Sequence, residues 1–246
     1  MTIPVHTGEL PYLTASQMIE VDRAMVEDFR IDLVRMMENA GRTLAHLARV
    51  RFLGGDPCGR TVVVLAGTGG NGGGALVCAR RLHNWGARVM VHVTRPDGKF
   101  TPVPARQLDI LRRMNIPVHP GKAVAGDDPA DLVIDGVIGY SLQGAPTGTA
   151  GKLIRWANAQ NAPVLSLDAP SGVDTTTGTV FDPSVRATAT MTLALPKEGL
   201  RAPGVMGNVG ELYLADISVP PSLYAGPGLG LALGHLFARS DILRLP

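Results

Sequence analysis

Thr61-Val62-Val63-Val64-Leu65-Ala66 is an unbroken apolar run, largely β-branched and of strand length, that opens directly into Gly67-Thr68-Gly69-Gly70-Asn71-Gly72-Gly73-Gly74. A strand without polar alternation has no solvent face, so it belongs in a parallel sheet covered on both sides. Ala75–Trp85 then reads as a helix, which completes a strand, glycine turn and helix in sequence. Glycines let backbone N–H groups approach an anion, and the N-terminal end of the following helix adds positive charge. Gly67, Gly69 and Gly72 spell G-x-G-x-x-G in the context where that pattern holds dinucleotides. The pattern alone is weak, and a bare strand-to-helix turn would also contain glycine. Six glycines in eight residues, however, carry more backbone entropy than such a turn needs. A dehydrogenase is disfavoured because Thr94 and Arg95 stand where its ribose-binding acid belongs. No Lys-Ser or Lys-Thr follows the glycines, so a Walker A loop is excluded.

The rest of the chain repeats the alternation. Thr14-Ala15-Ser16-Gln17 offers a capping box, followed by Met18, Val21 and Met25 at helical spacing, with Glu20, Asp22 and Arg23 expected to face outward. A second helix is expected from about Asp32 to Phe52, ended by Gly54-Gly55-Asp56-Pro57. Strands are expected at 88–94, 117–119, 131–138, 163–167, 187–195 and 211–217, with helices near 104–114 and 150–160. Strand–helix alternation predicts an α/β fold: a Rossmann-like three-layer sandwich around a mostly parallel, doubly wound sheet. All 246 residues read as a single domain, with residues 1–12 as a flexible arm and 221–246 as a C-terminal extension. Forty-five per cent hydrophobic and 18% charged residues exclude disorder, and a net charge of +2 points to neither nucleic acid nor membrane. No signal peptide or membrane span is legible, so a soluble cytoplasmic protein is expected. Cys58 and Cys78 fit neither a disulfide framework nor a metal spacing.

In doubly wound sheets ligands bind at the carboxyl ends of the strands, near the point where strand order reverses. Three polar segments fall at such ends: the glycine loop, Asp135–Ala145, and Asp168–Asp174. Asp135 ends the run Leu132-Val133-Ile134, where a carboxylate needs a cation or donors to stay charged. Asn71, Asp135 and Ser171 are hard oxygen donors, and none of the six histidines is near them in sequence, so a hard cation suits the set better than zinc. Asp168 remains as a candidate general acid or base. Either aspartate could also simply hold its own turn together.

Several of these segments, in order, resemble the NAD(P)H-hydrate epimerase family, also called the YjeF N-terminal domain. They are Met37-Glu38-Asn39-Ala40-Gly41, the glycine loop, Asp135 with Gly139, Asp168-Ala169-Pro170-Ser171-Gly172-Val173-Asp174, and Pro196-Lys197-Glu198-Gly199-Leu200. The resemblance spans roughly Tyr12 to Pro220. It implies a homodimeric isomerase that interconverts the C6 epimers of hydrated NADH or NADPH, alone or beside a separate dehydratase. It further implies a potassium ion on Asn71, Asp135 and Ser171, and a catalytic, substrate-contacting Asp168. Gly70, Asn71, Gly72, Gly73 and Gly74 would form one substrate loop. Gly139, Tyr140, Ser141, Leu142, Gln143, Gly144 and Ala145 would form the other. The glycine loop departs from the family pattern: Gly70 replaces an asparagine, Gly74 an aspartate, and Ala75 a glycine. Because of Gly74, two alternatives stand beside the epimerase. One is a non-catalytic nucleotide-binding or scaffold module, the other an isomerase recruited to a different substrate.

Overall fold

The computed structural model describes residues 2–121 and 129–246. Thr14 caps α1 (Ala15–Glu27) through the reciprocal box its sequence suggests: its hydroxyl accepts the Gln17 N–H while the Gln17 side chain accepts the Thr14 N–H. α2 (Leu33–Leu47) follows, and a π-helical turn, Ala48–Phe52, forms its last part. Then come β1 (Thr61–Ala66), α3 (Gly70–Asn84), β2 (Arg88–Val93), α4 (Pro102–Arg113) and β3 (Val118–Pro120). The second half continues with β4 (Leu132–Gly136), α5 (Gly148–Asn158), β5 (Val164–Leu167) and β6 (Ala189–Leu193). It ends with α6 (Met206–Val209), β7 (Glu211–Ala215), α7 (Pro221–Ala225) and β8 (Ile242–Arg244).

The strands lie in the order β3-β2-β1-β4-β5-β6-β7-β8, all neighbours parallel except β7 and β8. From β1 the chain winds outward to β3, then returns to place β4 on the other side of β1. The crevice of this sheet therefore opens above β1 and β4, where the glycine loop and the loop after Asp135 begin. Alternate residues of β1 explain the layers. Val62, Val64 and Ala66 pack with Leu44 of α2, Leu76 of α3 and Leu108 of α4, while Val63 and Leu65 meet Leu153 and Ile154 of α5. This is the Rossmann-like three-layer α/β sandwich with a mostly parallel, doubly wound sheet.

α3 starts at Gly70 rather than at Ala75, so most of the glycine loop is helix. None of these glycines has a positive φ, and closeness rather than backbone freedom explains Gly67, Gly72, Gly73 and Gly74. A Cβ on Gly72 would collide with the Gly67 carbonyl oxygen, and one on Gly73 with Met37 Sδ. One on Gly41 of α2 would meet the Val77 side chain and lie 2.6 Å from the Gly74 carbonyl oxygen. Gly41→Ala gains up to about 1 kcal/mol of helix propensity, but backbone cannot yield as a flexible side chain can. Overpacking of about 1–3 kcal/mol should win, and a urea midpoint below that of the parent protein is the expected result.

The first residues, expected as a flexible arm, instead pair with β8. Val5 bridges Arg244, the His6 N–H donates to the Arg244 carbonyl, and the Arg244 N–H donates to the Pro4 carbonyl at 2.9 Å. The segment after Pro220 returns over the first helices, where Leu229, Leu231, Leu233 and Leu236 join Met18, Met25 and Ala40. A three-residue β8 is too short to leave a sequence pattern. No helix among the described residues is long and apolar enough to cross a membrane.

Candidate functional site

Asp168 follows β5 with φ +66°, a conformation aspartate tolerates better than most residues. There its carboxylate enters the crevice. Oδ1 lies 2.5 Å from the ammonium of Lys197, and Oδ2 accepts the Tyr140 N–H at 3.1 Å. Lys197 has no exposed surface, and its remaining donors reach the Leu193 carbonyl at 2.7 Å and the Thr192 hydroxyl at 3.2 Å. All three ammonium hydrogens are thus used, as a buried charge requires. Gly139 makes the meeting of loops possible: a Cβ there would lie 3.1 Å from both Asn71 Cγ and Asp168 Oδ2.

Behind this pair is a second polar cluster. Asp135 is fully buried and accepts from the Ser171 hydroxyl at 2.6 Å, the Ser171 N–H at 2.9 Å, the Ser166 hydroxyl at 2.8 Å and the Val137 N–H at 3.2 Å. Burial pushes its carboxyl above the usual range, and the bonds from Ser171, Val137 and Ser166 oppose that rise. Ser171 Oγ also accepts the Ile138 N–H at 2.8 Å. Asn71 packs its side chain against Gly139, with both amide atoms buried and without a hydrogen-bond partner among the described residues. An orphaned amide of this kind costs about 1–3 kcal/mol, which a bound ion or ligand group would recover. Among the described residues no group of three or more His, Cys, Asp or Glu side chains is arranged to hold a metal ion.

The cleft itself has a volume of about 150 Å³. Gly70, Asn71, Gly139, Tyr140, Ser141 and Asp168 line it, together with Lys197 and an apolar wall that includes Met18, Met36, Met37 and Ile217. Other residues expected at the site lie elsewhere. Leu142, Gln143, Gly144 and Ala145 continue beyond the lining; Gly72 is buried against the Gly67 backbone, Gly73 against Met37 of α2, and Gly74 against Leu167 and Ala40. A Cβ at Gly74 would stand 2.8 Å from Leu167 Cδ2 and 3.7 Å from Ala40 Cβ, both residues of the cleft wall, so this position lies one layer behind the lining. The Met37–Gly41 motif is divided in the same way. Met37 and Ala40 line the cleft, Gly41 packs on α3, and Glu38 holds Arg80 at 2.6 Å.

Asp22 was expected to face outward with its neighbours Glu20 and Arg23. Those two do pair at the surface, but Asp22 lines the cleft and accepts the Tyr140 hydroxyl at 2.5 Å. Burial raises the Asp22 carboxyl, and burial with the nearby Asp22 raises the Tyr140 phenol. The spacing carried the signal: Asp22 falls between Met18 and Met25 at the i, i+4, i+7 positions of one helix face. Lys197 had a signal too, in a lysine set within the apolar run Leu193–Leu200, although its partner is far away in sequence.

The chain is similar to known proteins over most of its length. The family described as YjeF-related protein N-terminus matches residues 34–199. An NAD(P)H-hydrate epimerase of Dehalogenimonas lykanthroporepellens is 45% identical over 88% of this chain and 86% of its own length. A bifunctional NAD(P)H-hydrate repair enzyme Nnr of Salinibacter ruber is 33% identical over 86% of this chain, which spans 41% of that longer protein. The crystal structure of yeast ynu0, YNL200c, has the same fold, with a TM-score of 0.78 and 23% identity over 96% of this chain and 100% of the yeast chain. Asn71, Asp135, Asp168, Ser171 and Lys197 all fall inside the matched segment, and the chain belongs to the YjeF-related N-terminal domain family.

Proposed function

We propose that the protein is an NAD(P)H-hydrate epimerase, in which the buried Asp168–Lys197 pair moves a proton at the C6 hydroxyl of the hydrated nicotinamide ring. The observation that carries this reading is a single ion pair, buried and fully hydrogen-bonded, that borders an apolar cleft at the switch point of the sheet. A cleft of about 150 Å³ encloses one ring rather than a dinucleotide, so the remainder of the substrate extends outward. The N-terminus of α3 at Gly70 and Asn71 is suited to its phosphates.

The chemistry requires no oxidant. The Asp168–Lys197 pair donates its proton to the C6 hydroxyl as the C–O bond breaks, and the bonding electrons leave with oxygen as water. The ring nitrogen's lone pair then holds C6 planar. Water adds to either face and returns its proton to Asp168, so the configuration is scrambled and nothing is oxidised or reduced. Met18, Met36 and Met37 keep other water away from the planar carbon.

A potassium ion fits the second cluster. Asn71, Asp135 and Ser171 would hold it, since Asn71 has unmatched buried polar atoms and Asp135 a buried charge without a cation beside it. When bound, the ion supplies positive charge that keeps Asp135 ionised and Asn71 fixed beside Asp168. Incubating purified protein with (R)-NADHX and following its epimer by chromatography tests both readings. Conversion faster than the spontaneous reaction is expected, with a several-fold lower rate when choline replaces potassium. No acceleration in either salt would overturn the assignment.

Exposed Ile19, Val26, Phe29 and Leu33, at 38–58% accessibility, support a homodimer formed through the first helices. Light scattering should return twice the monomer mass, and a monomer at tens of micromolar would refute the dimer. In the cytoplasm such an epimerase would work beside a separate dehydratase.

A further inference from the structure

A second cavity, of about 530 Å³, opens at the other end of α2. Met37 and Arg49 lie on one helical path that ends in the π-helical turn, roughly 18 Å apart at 1.5 Å per residue. α3 runs alongside, contributing Gly73 near the cleft and Arg81 and Trp85 at the far cavity. Arg42, Arg49, Arg81 and Arg239 line this space, and Asp241 is the one carboxylate in its wall.

The arginines have an ordinary role to discount first. Cations near helix C-termini offset the macrodipole, and α2 and α3 both end here, each with roughly half a negative charge. Arg42 also pairs with Asp241 at 3.0 Å. Those demands account for about two of the four positive charges. Glu38 reaches Arg81 at only 3.7 Å while binding Arg80 more closely, so it cancels little of the remainder.

Independent signs of uncompensated positive charge are present. Arg81 Nε is buried with no acceptor among the described residues. Arg49 lies over the Trp85 ring, 4.5 Å from its centroid, and its Nη2 is 2.9 Å from His46 Nδ1. Burial, then the charges of Arg49 and Arg42, hold His46 below the usual imidazole range.

We propose that this cavity binds a diphosphate group, free or as part of a small organic molecule, through Arg42, Arg49, Arg81 and Arg239. Two surplus positive charges match such a group, and guanidinium forks suit its oxygens. The low net charge of the chain, +2, speaks against an extended nucleic acid. Because α2 lines both spaces, the bound anion is placed to bias the position of Met36 and Met37 in the cleft.

Calorimetric titration with inorganic pyrophosphate and, separately, with ADP tests the assignment. One saturable site is expected, weakening as salt rises and weakening about tenfold in an Arg49→Ala/Arg239→Ala variant that has lost two charge-assisted contacts. Tighter binding of ADP than of pyrophosphate would identify an organic source, and equal binding a free anion; either supports the site. Arg239→Ala alone, at an exposed position, guards against misfolding and should weaken binding in the same direction. Absence of saturable binding, unchanged affinity in both variants, or stronger binding to a short RNA than to either probe would overturn it.

Discussion

Asp168→Asn should slow epimerisation of (R)-NADHX by about 10²–10⁴-fold, the range for losing a general acid–base group. The substitution removes the proton-carrying oxygen and little else from the cleft, so kcat should fall far more than KM rises. Its geometry is less innocent than its size. Both neighbours of the carboxylate are donors, the Lys197 ammonium and the Tyr140 N–H, and an amide can accept from only one with its oxygen. The amide NH2 must then face a donor, and Lys197 is left without its counter-charge. Breaking one side of a buried pair costs about 3–5 kcal/mol, so rates have to be measured well below the lowered melting temperature. A folded Asp168→Asn protein within a few-fold of the parent rate would remove Asp168 from the mechanism.

Lys197→Met tests the same pair from the other side. Methionine has nearly the length of the lysine stem and no polar atoms, so packing against Thr192 and Leu193 is largely kept. Asp168 is then buried opposite an apolar group, and destabilisation of about 3–5 kcal/mol is expected in urea. Combining Lys197→Met with Asp168→Asn should recover much of that loss, because neither partner remains charged. The double variant should nevertheless be as inactive as Asp168→Asn. Costs that simply add would show that the two groups are not coupled, contrary to their 2.5 Å separation.

Asp168 and Lys197 also differ in how legible they are from the amino-acid sequence alone. The sheet was legible because β1, β4 and β5 are fully buried strands, and unbroken apolar runs have no other easy use. The acids at their ends followed from the rule that parallel strands point their carboxyl ends at the ligand. Asn71, Asp135 and Ser171 were singled out as a group, and the fold brings their loops together. Lys197 escaped because lysine is among the residues least often buried, and nothing local announces a partner one strand away. Asp22 escaped because an acid on an amphipathic helix is normally solvated. α3 begins earlier than its sequence suggests for an energetic reason: glycine is a poor helix former, and packing against α2, α4 and the sheet offsets that penalty.

That contact has a further bearing on which changes the phosphate-facing turn can absorb. Gly69 and Gly70 have open space where a Cβ would stand, whereas Gly72, Gly73 and Gly74 have none. The asparagine of the family pattern could therefore be exchanged for Gly70 without moving a neighbour. At Gly74 a Cβ would press on Leu167 Cδ2 at 2.8 Å, the tip of a flexible side chain, and would meet Ala40 Cβ of α2 at an ordinary 3.7 Å, so a larger residue there requires Leu167 to turn aside and leaves α2 in place. The turn thus divides into an open edge at Gly69 and Gly70, a closed one at Gly72 and Gly73, and a hinge of tolerance at Gly74, where the rotamer of one leucine decides what fits.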